Sequence, residues 1–174
     1  MDIRIEKVDL ESAAIFALLG RITTKDSFNY LFLNHQEDFD AYLNSSFSIA
    51  NVESWMNDDN YVFWLAFAND LPVGYAKVRL NYGFEELDKN NIAQLDKIYV
   101  HQDFISYKIG QPLYNSIESF LKTQDIKRLW LSVLDENLRA IRFYKRNNFD
   151  AVKSFNHAIG EQIFTFDIMM KSLI

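Results

Sequence analysis

Apolar and polar positions alternate with a period of two in several short runs. In between, apolar residues recur every three to four positions. "IRIEKV" (residues 3–8) alternates and predicts a first strand, and "DLESAAIFALLG" predicts a helix with Asp9 as its cap and Gly20 as its stop. Helical spacing returns around Asp38–Leu43 and Val52–Met56, inside a polar-aromatic stretch from Arg21 to Asn60. "YVFWLAF", the turn "ANDLP" and "VGYAKVRL" read as a hairpin. "NYGFEELDKNN" is a polar loop, and its carboxylates Glu85, Glu86 and Asp88 read as solvated. "AQLDKIYV" is a further strand, and "FISYKIGQPLYNSI" (104–117) follows as a loop entering a helix, with Pro112 at the first helical position and the end near Lys122–Gln124. "RLWLSV" is a buried-type strand, "ENLRAIRFYKRNN" a short helix, and "FDAVKSF" and "QIFTFDIMMKSL" a closing hairpin. The order β-α-(α)-β-β-β-α-β-α-β-β predicts a mixed α/β sheet with parallel pairing across the β-α-β centre.

Composition narrows the function. The 174 residues suit a single domain spanning 1–174, with no Gly/Ser-rich linker, and 49% apolar content supports a sizeable core. There is no cysteine, so disulfides and thiolate chemistry are excluded and a reducing, cytoplasmic setting is expected. No run reaches the roughly 18 apolar residues of a membrane span, so no membrane partner is expected. The net charge of −6 argues against nucleic acid as a partner and weakly favours cationic ones. His35, His101 and His157 lie far apart and show no metal-ligand spacing, so no metal is expected.

Two segments carry candidate chemistry. The first is the strand-loop-helix from Leu95 to Leu121. Amides at a helix start point outward unpaired and the helix dipole is positive there. The N–H groups of Lys108, Ile109, Gly110 and Gln111 are therefore candidates to hold a pyrophosphate. The second is "ENLRAIRFYKRNNF", where Asn137 sits at a helix start and Ala140, Ile141 and Tyr144 share a face.

Together these segments resemble the GNAT superfamily of acetyl-coenzyme A dependent N-acetyltransferases. The family's loop pattern [Q/R]-x-x-G-x-[G/A] falls on Ile105, Ser106, Tyr107, Lys108, Ile109 and Gly110. Its second motif, E-N-x-x-A-x-x-F-Y-x-x-x-G-F, falls on Glu136 through Phe149, with Asn148 in place of the glycine. "DSFNYLFLNHQEDFDAYL", "IYVHQDF" and "FTFDIMMKSLI" extend the resemblance to the PaiA-type bacterial polyamine acetyltransferases.

The resemblance implies a GNAT fold: a mixed central β-sheet splayed between two parallel strands, flanked by helices. It implies acetyl-CoA as co-substrate, bound in the wedge between "QLDKIYV" and "RLWLSV". The backbone of Ile98, Tyr99 and Val100 would pair with the pantetheine arm, the loop amides would hold the pyrophosphate, and Asn137 and the Ala140–Tyr144 face would line the cofactor. The acceptor would be a small cationic amine, polyamine favoured, attacking the thioester directly while an amide near Val100 polarises the carbonyl. Another amine, a protein N-terminus and a non-catalytic binding domain are the alternatives, and a homodimer stays open. Tyr144 would protonate the leaving thiolate with an ordinary phenol pKa of about 10. Asp96 is a candidate base, and position 94, often Glu in relatives, is Gln. Lys108 replaces the first loop glycine. It is expected either to adopt a left-handed backbone, at a cost of roughly 1–2 kcal/mol, or to turn its ammonium to a phosphate.

Overall fold

The computed structural model describes residues 1–85, 87 and 90–174. Seven strands form one sheet: β1 (Ile3–Val8), β2 (Tyr61–Ala68), β3 (Leu71–Leu80), β4 (Ile92–Val100), β5 (Arg128–Leu134), β6 (Asp150–Ile159) and β7 (Gln162–Ser172). Five α-helices flank it: α1 (Ala13–Phe28), α2 (Gln36–Phe47), α3 (Ile49–Met56), α4 (Gly110–Thr123) and α5 (Leu138–Arg146). The strand order is β1-β2-β3-β4-β5-β7-β6, with every neighbour antiparallel except β4 and β5. The predicted mixed sheet and central parallel pair are both present.

Alternation along β2 sorts the core into two layers. Phe63 and Leu65 join Tyr75 under α1, α2 and α3, while Trp64 and Ala66 join Ala76 and Val78 under α4. Successive side chains of a strand point to opposite faces, so the two helix groups cover opposite sides of the sheet. α5 packs on the α4 side through Ala140, Ile141 and Phe143.

Gly20 does not stop α1, which continues to Phe28. A Cβ at Gly20 would lie 2.3 Å from the Phe47 ring, so the glycine permits α1 and α2 to cross closely. Asp9 caps a short 3-10 turn, Leu10–Ser12, accepting from the Glu11 amide at 3.2 Å. α4 begins at Gly110, two residues before Pro112. α5 ends in a left-handed Asn148 at φ 64°, with Phe149 N–H bonded to Tyr144 O at 3.0 Å and Asn148 N–H to Lys145 O at 3.1 Å. That pairing closes a helix through a left-handed residue, usually glycine, and asparagine is the next best tolerated there.

Candidate active site

β4 and β5 are hydrogen-bonded neighbours only where Ile92, Ala93 and Gln94 face Arg128, Leu129 and Trp130. Beyond Gln94 the two strands part. The cause lies on the other edge of β4. Val78 pairs with Leu95 and Lys77 with Lys97, so Asp96 is an extra residue, a β-bulge. A bulge bends its strand and raises its twist, which swings the second half of β4 away from β5.

A cleft of about 1020 Å³ fills the opening. Its walls come from Leu95–Val100 on β4, Ser132–Leu134 on β5, the end of α1, the loop before α4 and one face of α5. The cleft therefore runs through the sheet, from the α4–α5 side to the α1 side.

The His101 amide donates to Val73 O at 2.7 Å, and backbone direction alternates along a strand. Tyr99 accordingly turns its N–H and C=O to β3, whereas Ile98 and Val100 turn theirs into the wedge. Of the three residues expected to offer backbone to a pantetheine arm, two are free to do so. Tyr99 contributes only its side chain, stacked on Tyr75 at 5.7 Å.

The loop before α4 is a 3-10 turn, Gln102–Tyr107, ended by Lys108 in the left-handed region at φ 59°, ψ 26°. Of the four candidate amides, Lys108 N–H is bonded to Ile105 O at 3.1 Å and Gln111 N–H to Lys108 O at 3.3 Å. Ile109 and Gly110 keep amides without a backbone acceptor among the described residues. A Cβ at Gly110 would meet only the Phe143 ring, 3.9 Å away, so the backbone there is open to a ligand. Ile105, Lys108, Gly110 and Gln111 line the cleft; Ser106 and Tyr107 do not, and the Ile109 side chain is buried in the core.

Arg139, Arg146 and Glu136 line the cleft together with Lys108. Both arginines were missed from the sequence. Their signal was present, since positions 139, 143 and 146 fall on one helical stripe. Phe143 on that stripe lines the cleft too, whereas Ile141 packs into the core. Gln111 and Asn147 exchange two side-chain hydrogen bonds, at 2.7 and 3.2 Å, and tie the start of α4 to the end of α5 across the mouth.

Asn137 caps α5, accepting from the Ala140 amide at 3.2 Å, and it lines the cleft with Ala140. Tyr144 is 9% exposed, and among the described residues no side chain or carbonyl engages its hydroxyl. Burial pushes its pKa above the ordinary phenol range, which corrects the unperturbed value expected for it. The group stays protonated at neutral pH.

Asp96 makes an ion pair with Lys77 at 3.0 Å. Burial would raise its pKa, but Lys97, Lys77 and Arg79 together hold it below the usual carboxylate value. A carboxylate so stabilised is a weak proton acceptor, which disfavours Asp96 as the base. Glu85 is exposed and pairs with Lys153; Glu86 and Asp88 lie outside the described residues. His101 lies 3.7 Å from Asp26, His35 lies 3.8 Å from Asp38, and His157 packs on Phe166. No helix among the described residues is long and apolar enough to cross a membrane.

Comparison with known proteins agrees with this geometry. The profile of the acetyltransferase (GNAT) family matches residues 28–149. An uncharacterized N-acetyltransferase of Methanocaldococcus jannaschii is 31% identical over 129 residues, covering 72% of this chain but only 56% of that protein. The spermine/spermidine N(1)-acetyltransferase of Bacillus subtilis (strain 168) is 30% identical over 111 residues, covering 63% of this chain and 68% of that one. The crystal structure of the PaiA N-acetyltransferase of Thermoplasma acidophilum, in complex with coenzyme A, superimposes with a TM-score of 0.80 at 20% identity over 99% of both chains, a likeness of fold. The chain belongs to the acetyltransferase (GNAT) family, whose co-substrate in N-acetyl transfer is acetyl-CoA.

Proposed function

We propose that the chain moves the acetyl group of acetyl-CoA to the primary amine of a small acceptor, by direct attack inside the β4–β5 cleft. The observation that carries this reading is the parting of β4 from β5 after Gln94, which leaves wedge-facing backbone at Ile98 and Val100 in line with the α4 start. The residues present fit the co-substrate. Ile109 and Gly110 offer amides to the pyrophosphate, and Lys108, Arg139 and Arg146 add positive charge to the cleft lining. Asn137 and Ala140 line the cleft and would flank the arm.

Within this reading the Val100 amide donates to the thioester carbonyl, where negative charge grows as the amine attacks. Tyr144 acts as a protonated hydrogen-bond donor to the departing sulfur. Its raised pKa makes it a donor held ready rather than a strong acid. The acceptor's ammonium loses its proton to water in the cleft, since Asp96 is held in its ion pair.

The polyamine acceptor expected from the sequence has its support in the Bacillus subtilis relative's name and the PaiA-like fold. The charge of the acceptor-side pocket does not add to that support.

Calorimetry with acetyl-CoA tests the site. The wild-type chain should bind, and Gly110→Val should bind about ten-fold more weakly or worse, because its side chain projects into the space left for the pyrophosphate. The fold has room for that side chain, so thermal stability should hold. Unchanged acetyl-CoA affinity in Gly110→Val refutes the placement.

A further inference from the structure

On the α2–α3 side of the Asp96 bulge lies a second pocket of about 390 Å³, which shares Asp96 and Lys97 with the cleft. Its occupant can therefore approach the reacting end of the wedge. We propose that the acceptor is an amine joined to an anionic group, a carboxylate or a phosphate, and that Arg79 and Lys97 hold that group. This inference rests on the acyl-transfer reading.

The charge count comes first. Lys77, Arg79 and Lys97 line the pocket, against one described carboxylate, Asp96, and a neutral Gln94. Three cations and one anion leave two positive charges in a chain whose net charge is −6. Lys77 is consumed locally. It is 4% exposed, pairs with Asp96 at 3.0 Å and sits over the Trp55 ring at 3.4 Å.

Arg79 and Lys97 are different. Among the described residues neither has a carboxylate within 4.0 Å, and no hydrogen bond engages the Arg79 guanidinium. The Arg79 guanidinium carbon lies over Tyr82, 3.8 Å from the ring centre, with Tyr61 at 5.3 Å. Contact with the ring face holds the guanidinium in place while leaving N–H groups free to donate. A planar fork held this way suits two oxygens of an acid group. Lys97 lies 5.5 Å from the Phe47 ring centre and lines the pocket with Tyr42. Burial disfavours its ammonium, yet Asp96 and the Tyr42 and Tyr99 hydroxyls keep its pKa above the ordinary lysine value. It stays charged.

Like charges gathered in a half-buried pocket repel each other, and an anion between them relieves that repulsion. A polyamine would bring further positive charge to the same place. The residues thus favour an acidic amine over the polyamine that the relative's name suggests.

The test uses the whole chain with saturating acetyl-CoA and follows thiol release. The acceptors are 4-aminobutyrate, 3-aminopropylphosphonate, putrescine and spermidine, so that the carboxylate and phosphonate arms are read separately. At least one acidic amine should exceed both polyamines in kcat/KM by about ten-fold or more. Arg79→Gln should remove that advantage through KM, Arg79→Lys should restore part of it, and acetyl-CoA affinity by calorimetry should be unchanged in both. Polyamine preference with acetyl-CoA binding intact overturns this inference alone. So does an acidic-amine preference that survives Arg79→Gln, or no turnover of either acidic amine. Failure of the wild-type chain to bind acetyl-CoA overturns the acyl-transfer reading, and this inference with it.

Discussion

Lys108 separates two effects that a single mutation usually mixes. Its backbone sits at φ 59°, ψ 26°, a region that costs an L-residue with a Cβ roughly 1–2 kcal/mol and costs glycine almost nothing. That strain is present before any ligand arrives. Lys108→Gly should therefore stabilise the fold by about 1 kcal/mol, and a chain of this size should gain roughly 2–4 °C in Tm. Lys108→Ala keeps the Cβ and should gain little. Affinity follows a different path. Relief of strain common to free and bound states cancels from the binding free energy, so only the lost ammonium counts. The side chain is exposed at the cleft mouth. A charge about 4 Å from a phosphate in a watery setting is worth about 1 kcal/mol, or roughly five-fold in Kd. Both variants should then bind acetyl-CoA more weakly by similar factors. The loss should shrink between 0.1 and 1 M salt as the Debye length falls from about 10 to about 3 Å. Thermal melts and calorimetry at the two salt concentrations measure both quantities. Tighter acetyl-CoA binding by Lys108→Gly would refute this reasoning, because it would mean that the left-handed turn strains the complex and not the free loop.

Tyr144→Phe should lower turnover by roughly 10²–10⁴-fold at unchanged acetyl-CoA affinity, since the ring packing on Phe143 and Phe149 survives and only an unengaged hydroxyl is lost; full turnover in steady-state assays would remove it from the chemistry. Glu118→Gln should destabilise the chain in a pH-dependent way. Burial would raise the Glu118 carboxyl, but hydrogen bonds from Lys122, Lys171 and Tyr114 override it and hold the pKa down to about 2 from 4.5. The folded-state pKa is depressed, so the stabilisation is complete above about pH 4.5 and is lost as pH falls towards 2. Melts should show a wild-type advantage of roughly 1 kcal/mol near neutrality, since solvent screens this half-exposed group, that vanishes in acid, and a pH-independent difference would be the wrong result.

Elements whose apolar period was clean were legible. β1 runs from residue 3 to 8 as its alternation predicts, and the closing hairpin appears where "FDAVKSF" and "QIFTFDIMMKSL" place it. Glycine was read too narrowly. Gly20 looks like a helix stop because nothing local shows that the Phe47 ring will lie against it. Asn148 shows the converse, a left-handed cap position retained although the glycine is gone. The resemblance singled out Asn137, Ala140 and Tyr144, and all three line the cleft. Arg79, Lys97 and the Gln111–Asn147 bridge were not legible, since each joins separate elements and gains meaning only from sheet register or helix contact.

The bulge at Asp96 illustrates why. One extra residue in β4 is invisible to a period-two reading, because "AQLDKIYV" alternates well enough on either side of it. Its consequences are two and they are coupled. It turns the strand away from β5, which opens the wedge. It also interrupts the register opposite β3, so that Asp96 meets Lys77 while Lys97 and Arg79 share the same face of the sheet without carboxylates of their own among the described residues. Had β4 continued without the insertion, Asp96 would stand directly opposite Lys77, and Lys97 would pair with Ala76 and fall on the α4 face of the sheet. The insertion that accompanies the opening of the wedge thus also leaves Lys97 on the face of the second pocket. On the acidic-amine proposal, acceptor preference follows from which side chains flank the bulge.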